Sequence, residues 1–196
     1  METPPASQTP GKLVVISGPS GAGKTTVLRR VFDQAQVPLV ASVSATTRPP
    51  RQGEVDGRDY HFLTDEEFQR RRAAGEFLEC FEVFGRGYWY GTLRKAVTPG
   101  LAAGKWVVLE IDVDGAMSVL EQYPAAISIF IRPRSLDELR RRLQERGTET
   151  AEQLARRLEV ARHEISLEHR YRHLVINDDV DRAAEEICQI LSGAGE

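Results

Sequence analysis

The chain has 196 residues, of which 41% are hydrophobic, and it carries a formal net charge of −3. This length and composition suit one globular domain with a single sizeable core, and the slightly acidic balance excludes a global positive field that would draw the chain onto nucleic acid or an anionic membrane. The two cysteines, Cys80 and Cys188, lie far apart and in no metal-ligand spacing, so we expect free thiols in a reducing compartment, which fits the cytoplasm.

The start of the chain predicts no folded element. Residues 1–11 are rich in proline and show no hydrophobic period, so we expect a disordered tail in front of a single domain at 12–192. The sequence contains no apolar run of about 18 residues. It also has no signal-peptide pattern, and a membrane segment is therefore not expected.

A glycine-rich stretch behind an apolar run is the first strong signal. Leu13–Ile16 belongs to a predicted buried strand, and Gly18–Thr25 reads G-P-S-G-A-G-K-T, which fits the phosphate-loop pattern G-x-x-x-x-G-K-[ST]. Its glycines allow backbone N–H groups to turn inward at the start of a helix. A glycine-rich turn with a chance lysine is the alternative, but every fixed position is matched. We therefore expect a nucleoside triphosphate here, with Lys24 on the β- and γ-phosphates and Thr25 on Mg²⁺.

Strands and helices alternate after this loop until a polar excursion interrupts them. Residues 46–59 are rich in proline, glycine and arginine and predict a loop. The elements predicted on either side of it are a helix at Lys24–Asp33, a strand at Leu39–Ser42, an apolar segment at Tyr60–Leu63, a capped helix from Thr64 to about Ala74, and two strands of a small antiparallel sheet at Phe77–Phe84 and Gly85–Gly91.

The core pattern resumes after a helix predicted over 92–103. Trp106–Ile111 and Ala126–Ile131 are near-continuous apolar runs of the kind that central parallel strands show. The remaining predicted elements are a capped helix from Ser135 to near Gly147, a long helix at about Ala151–Leu167, a strand at His173–Ile176 and a helix at Val180–Leu191. Buried-type strands linked by helices predict an α/β fold with a doubly wound parallel five-stranded core, whose ligands bind at the carboxyl ends of the strands.

Two acidic residues stand at the end of a predicted core strand. Asp112, with Glu110 close by, is where a phosphate-loop enzyme needs a carboxylate for Mg²⁺. Acids also end strands without any functional role, so this assignment depends on the phosphate loop. A GTP switch protein would in addition carry an Asn-Lys-x-Asp base reader, and Asn177-Asp178-Asp179 lacks the lysine.

Arginines are grouped at two places. Arg48 and Arg51 stand among prolines in the excursion and suit a second, smaller anion such as a monophosphate, because guanidinium groups bind phosphate in a bidentate way. An exposed basic loop is the alternative. A second group lies on both sides of the break at 147–150, as in a lid that closes over phosphates, although most of its members could pair with surface glutamates. This group consists of Arg140, Arg141, Arg142, Arg146, Arg156 and Arg157.

Five further motifs follow GPSGAGKT in a fixed order. They are SVSATTRPPRQGEVDGRDYHF from Ser42, GEFLE at Gly75–Glu79, YGT at Tyr90–Thr92, LEIDV at Leu109–Val113 and RGTET at Arg146–Thr150. Together they resemble guanylate kinases over nearly the whole chain, from about Lys12 to Leu191. The segment between Glu79 and Tyr90 is longer than is usual in that family, and the YGT match favours Tyr90 over Tyr88.

The resemblance implies a role for each matched residue. The implied ATP-binding residues are Gly18, Pro19, Ser20, Gly21, Ala22, Gly23, Lys24, Thr25, Thr26 and Asn177, the last near the adenine. The implied GMP-binding residues are Ser44, Arg48, Arg51, Tyr60, Glu79, Tyr90, Thr92 and Asp112, with Arg48, Arg51, Tyr60 and Tyr90 on the phosphate. The implied catalytic residues are Lys24, Arg48, Arg142, Arg146 and Arg157, and the implied metal ligands are Thr25 and Asp112. From spacing alone, Glu79 would instead be a surface carboxylate at a strand end.

The resemblance also implies a fold and an activity. The family fold divides this chain into a core (12–41, 92–134 and 168–192), a small antiparallel-sheet GMP-binding subdomain (42–91) and a helical lid (135–167). The expected reaction transfers the γ-phosphoryl group of ATP to GMP with Mg²⁺, giving ADP and GDP, and dGMP is a possible second acceptor. We expect a cytoplasmic monomer or small homo-oligomer with no nucleic-acid or membrane partner.

Two other functions remain open at this point. A kinase for another monophosphate would differ in the residues that read the base, Glu79 and Ser44. A related scaffold domain that binds peptides and no longer turns over would have lost the phosphate-loop lysine or the lid arginines, and this chain has both.

Overall fold

A computed structural model describes residues 11–83, 87–145 and 150–195. The strands in these ranges are β1 (Leu13–Ser17), β2 (Leu39–Ala41), β3 (Ala45–Thr46), β4 (His61–Phe62), β5 (Phe77–Val83), β6 (Tyr88–Leu93), β7 (Trp106–Glu110), β8 (Ile127–Arg132) and β9 (His173–Ile176). The helices are α1 (Lys24–Gln34), α2 (Asp65–Ala73), α3 (Arg94–Ala102), α4 (Val113–Gln122), α5 (Leu136–Glu145), α6 (Ala151–Ser166) and α7 (Val180–Gly193), with a short 3₁₀ turn at Glu168–Arg170.

The larger sheet has five parallel strands in the order β2-β7-β1-β8-β9. All five residues of β1 are buried, which explains why its sequence is apolar without alternation. Its register sets Val14 opposite Ile127 and Ser17 opposite Phe130. The chain builds outward from β1 in both directions, so the predicted doubly wound core is confirmed.

Two helices that are distant in sequence pack together through small and branched side chains. Helix α1 buries Val27, Leu28 and Val31, and α7 buries a face that includes Ala183 and Ile187. Because these residues recur at intervals of three and four, each helix presents one apolar stripe to the core. Helix α1 therefore leaves the phosphate loop with a fixed direction.

The smaller sheet has the order β4-β3-β6-β5. We predicted an antiparallel sheet, but it is mixed: β3 pairs with β6 in the antiparallel sense and with β4 in the parallel sense. The physical reason is the loop 47–60, which carries the chain back so that β4 runs in the same direction as β3. Strand β6 also continues to Leu93, so the helix predicted from Thr92 begins only at Arg94.

The two faces of the small sheet differ: one packs on helix α2, and the other carries Glu79. One face packs on α2, where Phe68 stacks on Phe77 with ring centroids 4.4 Å apart and where Ala45 and Leu93 complete a buried cluster. Simple alternation would put Glu79 on this face with Phe77. The register shifts between them, however, because Phe77 faces Leu93 while Glu79 faces Thr92. This irregularity turns Glu79 to the opposite face.

Helices α5 and α6 form a hairpin with its own apolar seam. Leu139 and Leu143 of α5 pack against Leu158 and Ala161 of α6. Helix α6 begins with a capping box, in which the Thr150 hydroxyl accepts from the backbone N–H of Gln153 and the Gln153 side chain accepts from the backbone N–H of Thr150. The break between the two predicted helices thus ends at Thr150, the N-cap of α6.

Contacts between residues group the chain into two units. The described parts of 1–13 and 38–109 form unit 1, and those of 14–37 and 110–196 form unit 2. The finer division into core, GMP-binding subdomain and lid stays a prediction. The first ten residues of the predicted tail, Phe84 to Arg86 of the predicted hairpin and Arg146 of the predicted lid lie outside the described residues. Among the described helices, none is long and apolar enough to cross a membrane.

Candidate active site

The phosphate loop of unit 2 has a backbone that requires glycine at two positions. Gly18 has φ = 141°, and a Cβ there would lie 1.9 Å from the backbone oxygen of Ile131. Gly23 caps α1 with φ = 86°, and a Cβ would lie 2.5 Å from Nδ2 of Asn177. Both values lie in a region that side chains with a Cβ rarely adopt. The predicted strand-loop-helix context of the motif is therefore present.

Lys24, the first residue of α1, folds back over the loop. Its Nζ donates to the backbone oxygen of Gly18 at 2.6 Å and to that of Pro19 at 3.2 Å. The ammonium is thereby held against the first two residues of the loop. A phosphate bound there would meet both the backbone donors and the lysine charge.

Thr25 and two acidic residues supply oxygen atoms beside the loop. The Thr25 hydroxyl donates to Oε1 of Glu110 at 2.7 Å. The Asp112 carboxylate caps α4 by accepting from the backbone N–H of Gly115 at 2.7 Å. Burial raises the pKa of Asp112 above its usual value, and Lys24 opposes that shift.

These oxygen atoms suit Mg²⁺ that is bound together with substrate phosphates better than a metal ion whose ligands all come from the protein. Hydroxyl and carboxylate oxygens are the ligands that Mg²⁺ prefers, and it commonly binds one or two carboxylates together with substrate phosphates. Within the described ranges, no group of three or more His, Cys, Asp or Glu residues could hold a metal ion. The residues at Thr25 thus suit an ion that arrives with a triphosphate.

A buried amide and an arginine support the loop from behind. Asn177, which is 2% exposed, donates from Nδ2 to the backbone oxygen of Ala22 at 2.7 Å. Arg142 of α5 donates to the same oxygen at 3.3 Å and to the backbone oxygen of Asn177 at 2.7 Å, and it also pairs with Glu138. Arg142, predicted to act on transferring phosphate, is thus engaged with the loop backbone here.

An open cleft of about 360 Å³ lies beside these residues within unit 2. Its lining residues are Gly21, Gly23, Thr26, Arg142, Glu145, Asn177, Asp178 and Val180. Because the cleft adjoins the helical end of the phosphate loop, a nucleotide whose phosphates occupy the loop can place its base or ribose there. This position agrees with the predicted role of Asn177 near the adenine, which stays a prediction.

Glu164 of α6 is a second half-buried carboxyl near the loop. Burial raises its pKa to about 7; the Lys24 charge and the backbone N–H of Ser20 oppose the rise, and Asp112 and Asp114 increase it. The sequence marks this residue as an ordinary helix glutamate, and we did not single it out. Of the predicted lid arginines on the other side of the break, Arg157 lies on α6 and is partly buried.

The residues predicted to bind GMP, Asp112 apart, belong to unit 1, and Arg48 contacts several of them. The Arg48 guanidinium is nearly buried and donates from Nε to the Tyr90 hydroxyl at 3.1 Å. It lies 5.5 Å from the centroid of the Tyr60 ring, which in turn meets the Tyr90 ring edge-on. Arg51 is exposed on the same loop. Four residues predicted for the acceptor phosphate are therefore neighbours in the folded chain or on one loop.

Glu79 and Thr92 form a polar pair on the face of the small sheet that is turned away from α2. They are register partners of β5 and β6, so their side chains stand on the same face. Glu79 is 8% exposed, which rules out the surface carboxylate that spacing alone favoured. The Thr92 hydroxyl is buried without a hydrogen-bond partner among the described residues. Alternation from Thr46 places Ser44 on this face too.

Asp112 belongs to unit 2, whereas the other predicted GMP-binding residues belong to unit 1. One further feature of these sites was not predicted from the sequence. Glu54, which pairs with Arg48, was not singled out, because one more acid in a polar loop gives no signal of its own. Glu54 follows Arg51 by three residues, a spacing typical of a turn, and this could have indicated that the two residues contact each other.

Comparisons with known proteins agree with this geometry. The guanylate kinase family profile matches residues 10–194. A guanylate kinase of Rhodopirellula baltica is 55% identical over 183 residues, covering 93% of this chain and 88% of that protein. One of Caldanaerobacter subterraneus subsp. tengcongensis is 46% identical, covering 92% and 86%. The crystal structure of guanylate kinase from Anaplasma phagocytophilum matches with a TM-score of 0.78 at 35% identity, covering 95% and 87%.

Proposed function

The chain belongs to the guanylate kinase family, whose members phosphorylate GMP with ATP, and from that premise we propose which of its residues carry the transfer. The reaction is ATP + GMP → ADP + GDP. An oxygen of the GMP phosphate attacks the γ-phosphorus of ATP in line, and the bond to the oxygen bridging the β- and γ-phosphates breaks as ADP leaves. Since that oxygen is already anionic near neutral pH, no general base is needed.

The donor half of the reaction belongs to the phosphate loop. Its backbone N–H groups and Lys24 bind the β- and γ-phosphates, and the cleft next to Asn177 takes the adenosine. Mg²⁺ that is bound with ATP would neutralise phosphate charge, and Thr25 with Glu110 or Asp112 would hold it or its waters. The support for this assignment is the hydroxyl of Thr25, which is already directed at a carboxylate.

The acceptor half, Asp112 apart, belongs to unit 1. Arg48, Arg51, Tyr60 and Tyr90 hold the acceptor phosphate, and Glu79 reads the base. Guanine presents two adjacent donors, N1–H and the 2-amino group, and a carboxylate accepts both at once. Adenine has an acceptor at N1 that would face the carboxylate lone pairs, so a site of this kind rejects it strongly.

Arg142, Arg146 and Arg157 are assigned to the charge of the transferring group. An arginine that acts on transition-state charge can contribute about 10³ to 10⁵ in rate. Arg142 now donates to backbone oxygens of the loop, so binding of ATP would redirect it toward phosphate. We further propose that the protein works in the cytoplasm as a monomer or small homo-oligomer, consistent with its two unpaired cysteines among the described residues.

The observation that carries this proposal is the buried pair of Glu79 and Thr92 on the same sheet face as Tyr90. A coupled assay of ADP release with GMP, dGMP, AMP, CMP and UMP tests it. We expect turnover with GMP, weaker turnover with dGMP and none with the other three. Comparable use of AMP, or no turnover with GMP, would contradict the assignment.

A further inference from the structure

The loop after β3 contains a carboxylate that no step of the transfer uses. Glu54 accepts hydrogen bonds from both terminal nitrogens of Arg48, at 3.0 Å to Oε2 and 2.9 Å to Oε1. Oε2 also accepts from the backbone N–H of Arg51 at 2.7 Å. The backbone N–H of Glu54 returns a bond to the Arg51 oxygen at 3.1 Å. One side chain therefore binds the guanidinium of Arg48 and the backbone of Arg51.

These bonds determine which way Arg48 points. Glu54 occupies the end of the guanidinium fork, Pro49 accepts from Nη1 at 2.8 Å, and the Tyr90 hydroxyl accepts from Nε at 3.1 Å. A planar guanidinium has five N–H bonds. The bond that remains, on Nη2, lies on the same side as Nε, next to the Tyr90 hydroxyl. An incoming phosphate thus meets a guanidinium N–H and a tyrosine hydroxyl side by side.

Charge and burial explain why the pair persists. The Arg48 and Glu54 side chains are 8% and 19% exposed, so an unpaired Arg48 would lose water without gaining a partner. The hydrogen bond from Arg48 lowers the pKa of Glu54, which stays ionised near neutral pH. The exposed side chain of Arg51 is available to the phosphate.

We propose that Glu54 is a positioning residue for the acceptor phosphate, holding Arg48 in the orientation that leaves one N–H beside Tyr90 and tying Arg51 to the same turn. The inference rests on the proposed function, since it takes the ligand of this pocket to be a nucleoside monophosphate. Glu54 itself does not touch the phosphate.

The test compares Glu54→Gln with wild type in steady-state kinetics. The glutamine side chain would turn an amide N–H toward the Arg48 guanidinium. One of the two hydrogen bonds between residue 54 and Arg48 is then lost, and Arg48 is no longer held in one orientation. We expect the KM for GMP to rise about tenfold, which corresponds to losing one bond to a charged group. The KM for ATP should change by less than about twofold, because the phosphate loop belongs to other residues. Glu82→Gln, an exposed glutamate on β5, is the matched control and should leave both values unchanged.

Guanosine separates positioning from a general loss of structure. It carries the same base without a phosphate, so its inhibition constant as a competitor of GMP should be the same in Glu54→Gln and wild type. Glu54→Asp keeps the charge on a shorter arm and should give an intermediate KM for GMP. If the glutamine variant does not fold, the aspartate variant is compared with wild type on the same two ligands.

Three results would overturn the inference. They are an unchanged KM for GMP, a guanosine affinity that falls in step with GMP, and a KM for GMP that decreases. The last would mean that Glu54 competes with the acceptor phosphate for Arg48. The wild-type measurement comes first and stands apart: failure to phosphorylate GMP at all would contradict the proposed function, whatever the variants do.

Discussion

Glu79 reaches the pocket face of its sheet because the register of β5 shifts beside it. Without that shift, alternation would turn its carboxylate toward Phe77 and the α2 core. A carboxylate in that core would lack the polar neighbour that Thr92 provides. A local irregularity of the backbone thus decides whether this side chain reads a base or disrupts a core.

Changing one oxygen of Glu79 to nitrogen should therefore impair base recognition. In Glu79→Gln an amide donor faces a guanine donor, so we expect kcat/KM for GMP to fall at least about tenfold. The measurement is kcat/KM with GMP and AMP for the variant, wild type and Glu82→Gln. An unchanged GMP value in the variant would remove Glu79 from this role.

Glu164 introduces a pH dependence of stability. Its folded-state pKa of about 7 lies above the usual value of 4.5 because burial disfavours the ionised form. The folded protein therefore holds a proton that the unfolded chain releases, and this contribution is lost as pH rises from about 4.5 to about 7. The charges that face the carboxyl are Lys24, Asp112 and Asp114.

Glu164→Gln should remove that dependence. Between about pH 5 and about pH 8, the free energy of unfolding of the variant should gain on wild type by up to about 3 kcal/mol. Urea unfolding without nucleotide at both pH values measures the difference, and Glu159→Gln, an exposed glutamate of α6, is the control. Parallel pH profiles for wild type and Glu164→Gln would show that the carboxyl is not held neutral.

At the scale of elements, the α5–α6 hairpin is held together by few side chains. Its seam consists of Leu139, Leu143, Leu158 and Ala161, with partly buried leucines at its edge. The same α5 leucines approach the phosphate loop, since a Cβ on Gly21 would lie 2.9 Å from Cδ2 of Leu143. Packing of the hairpin and shape of the loop are therefore linked through one leucine.

Leu143→Ala should weaken both the packing of the α5–α6 hairpin and the support of the phosphate loop. Leu143 is 1% exposed, and truncating a buried leucine costs about 2–5 kcal/mol. Leu174→Ala makes the same chemical change on β9 where the side chain is 39% exposed, and it should cost less than about 1 kcal/mol. Equal losses for the two variants in urea unfolding would contradict a packed seam.

At the scale of the whole molecule, the two substrates are assigned to different units. The phosphate loop and Asn177 belong to unit 2, whereas Arg48, Glu79 and Tyr90 belong to unit 1. The Arg48–Tyr90 bond lies within unit 1 and the Asn177–Ala22 bond lies within unit 2. Binding of the two nucleotides should therefore be separable by mutation, although transfer needs both.

Lys24→Ala tests this separation. We expect phosphoryl transfer to be abolished, because the lysine charge on the β- and γ-phosphates is lost. The affinity for GMP should stay within about twofold of wild type, since Lys24 belongs to unit 2 and the residues assigned to GMP, Asp112 apart, belong to unit 1. Calorimetric titration of GMP into the variant measures that affinity, and a loss of GMP affinity that matches the loss of activity would contradict the separation.

The sequence predicted contiguous features better than pairings. Gly18–Thr25 is one local stretch whose spacing indicates its own chemistry, and the apolar runs at β1 and β7 mark buried strands by composition. The parallel pairing of β3 with β4 and the ion pair of Glu54 with Arg48 form only when a loop brings separate segments together. Hydrophobic periodicity does not show which segments will meet. Spacing alone could not place Glu79 for the same reason, since alternation fails where a register shifts; the family resemblance was what assigned it to the GMP site.

The register shift also sets where β5 tolerates a change of length. Leu78 is the extra residue between Phe77 and Glu79, so a chain that lacks it can keep both neighbours on their present partners, Leu93 and Thr92. An additional residue between Glu79 and Phe81 has no such compensation and would exchange inward and outward positions downstream. In deletion and insertion scanning of this strand, we expect removal of Leu78 to retain GMP binding with reduced stability, and a single insertion after Glu79 to abolish it. Strand β5 thus tolerates the loss of a residue at Leu78 but not the gain of one after Glu79.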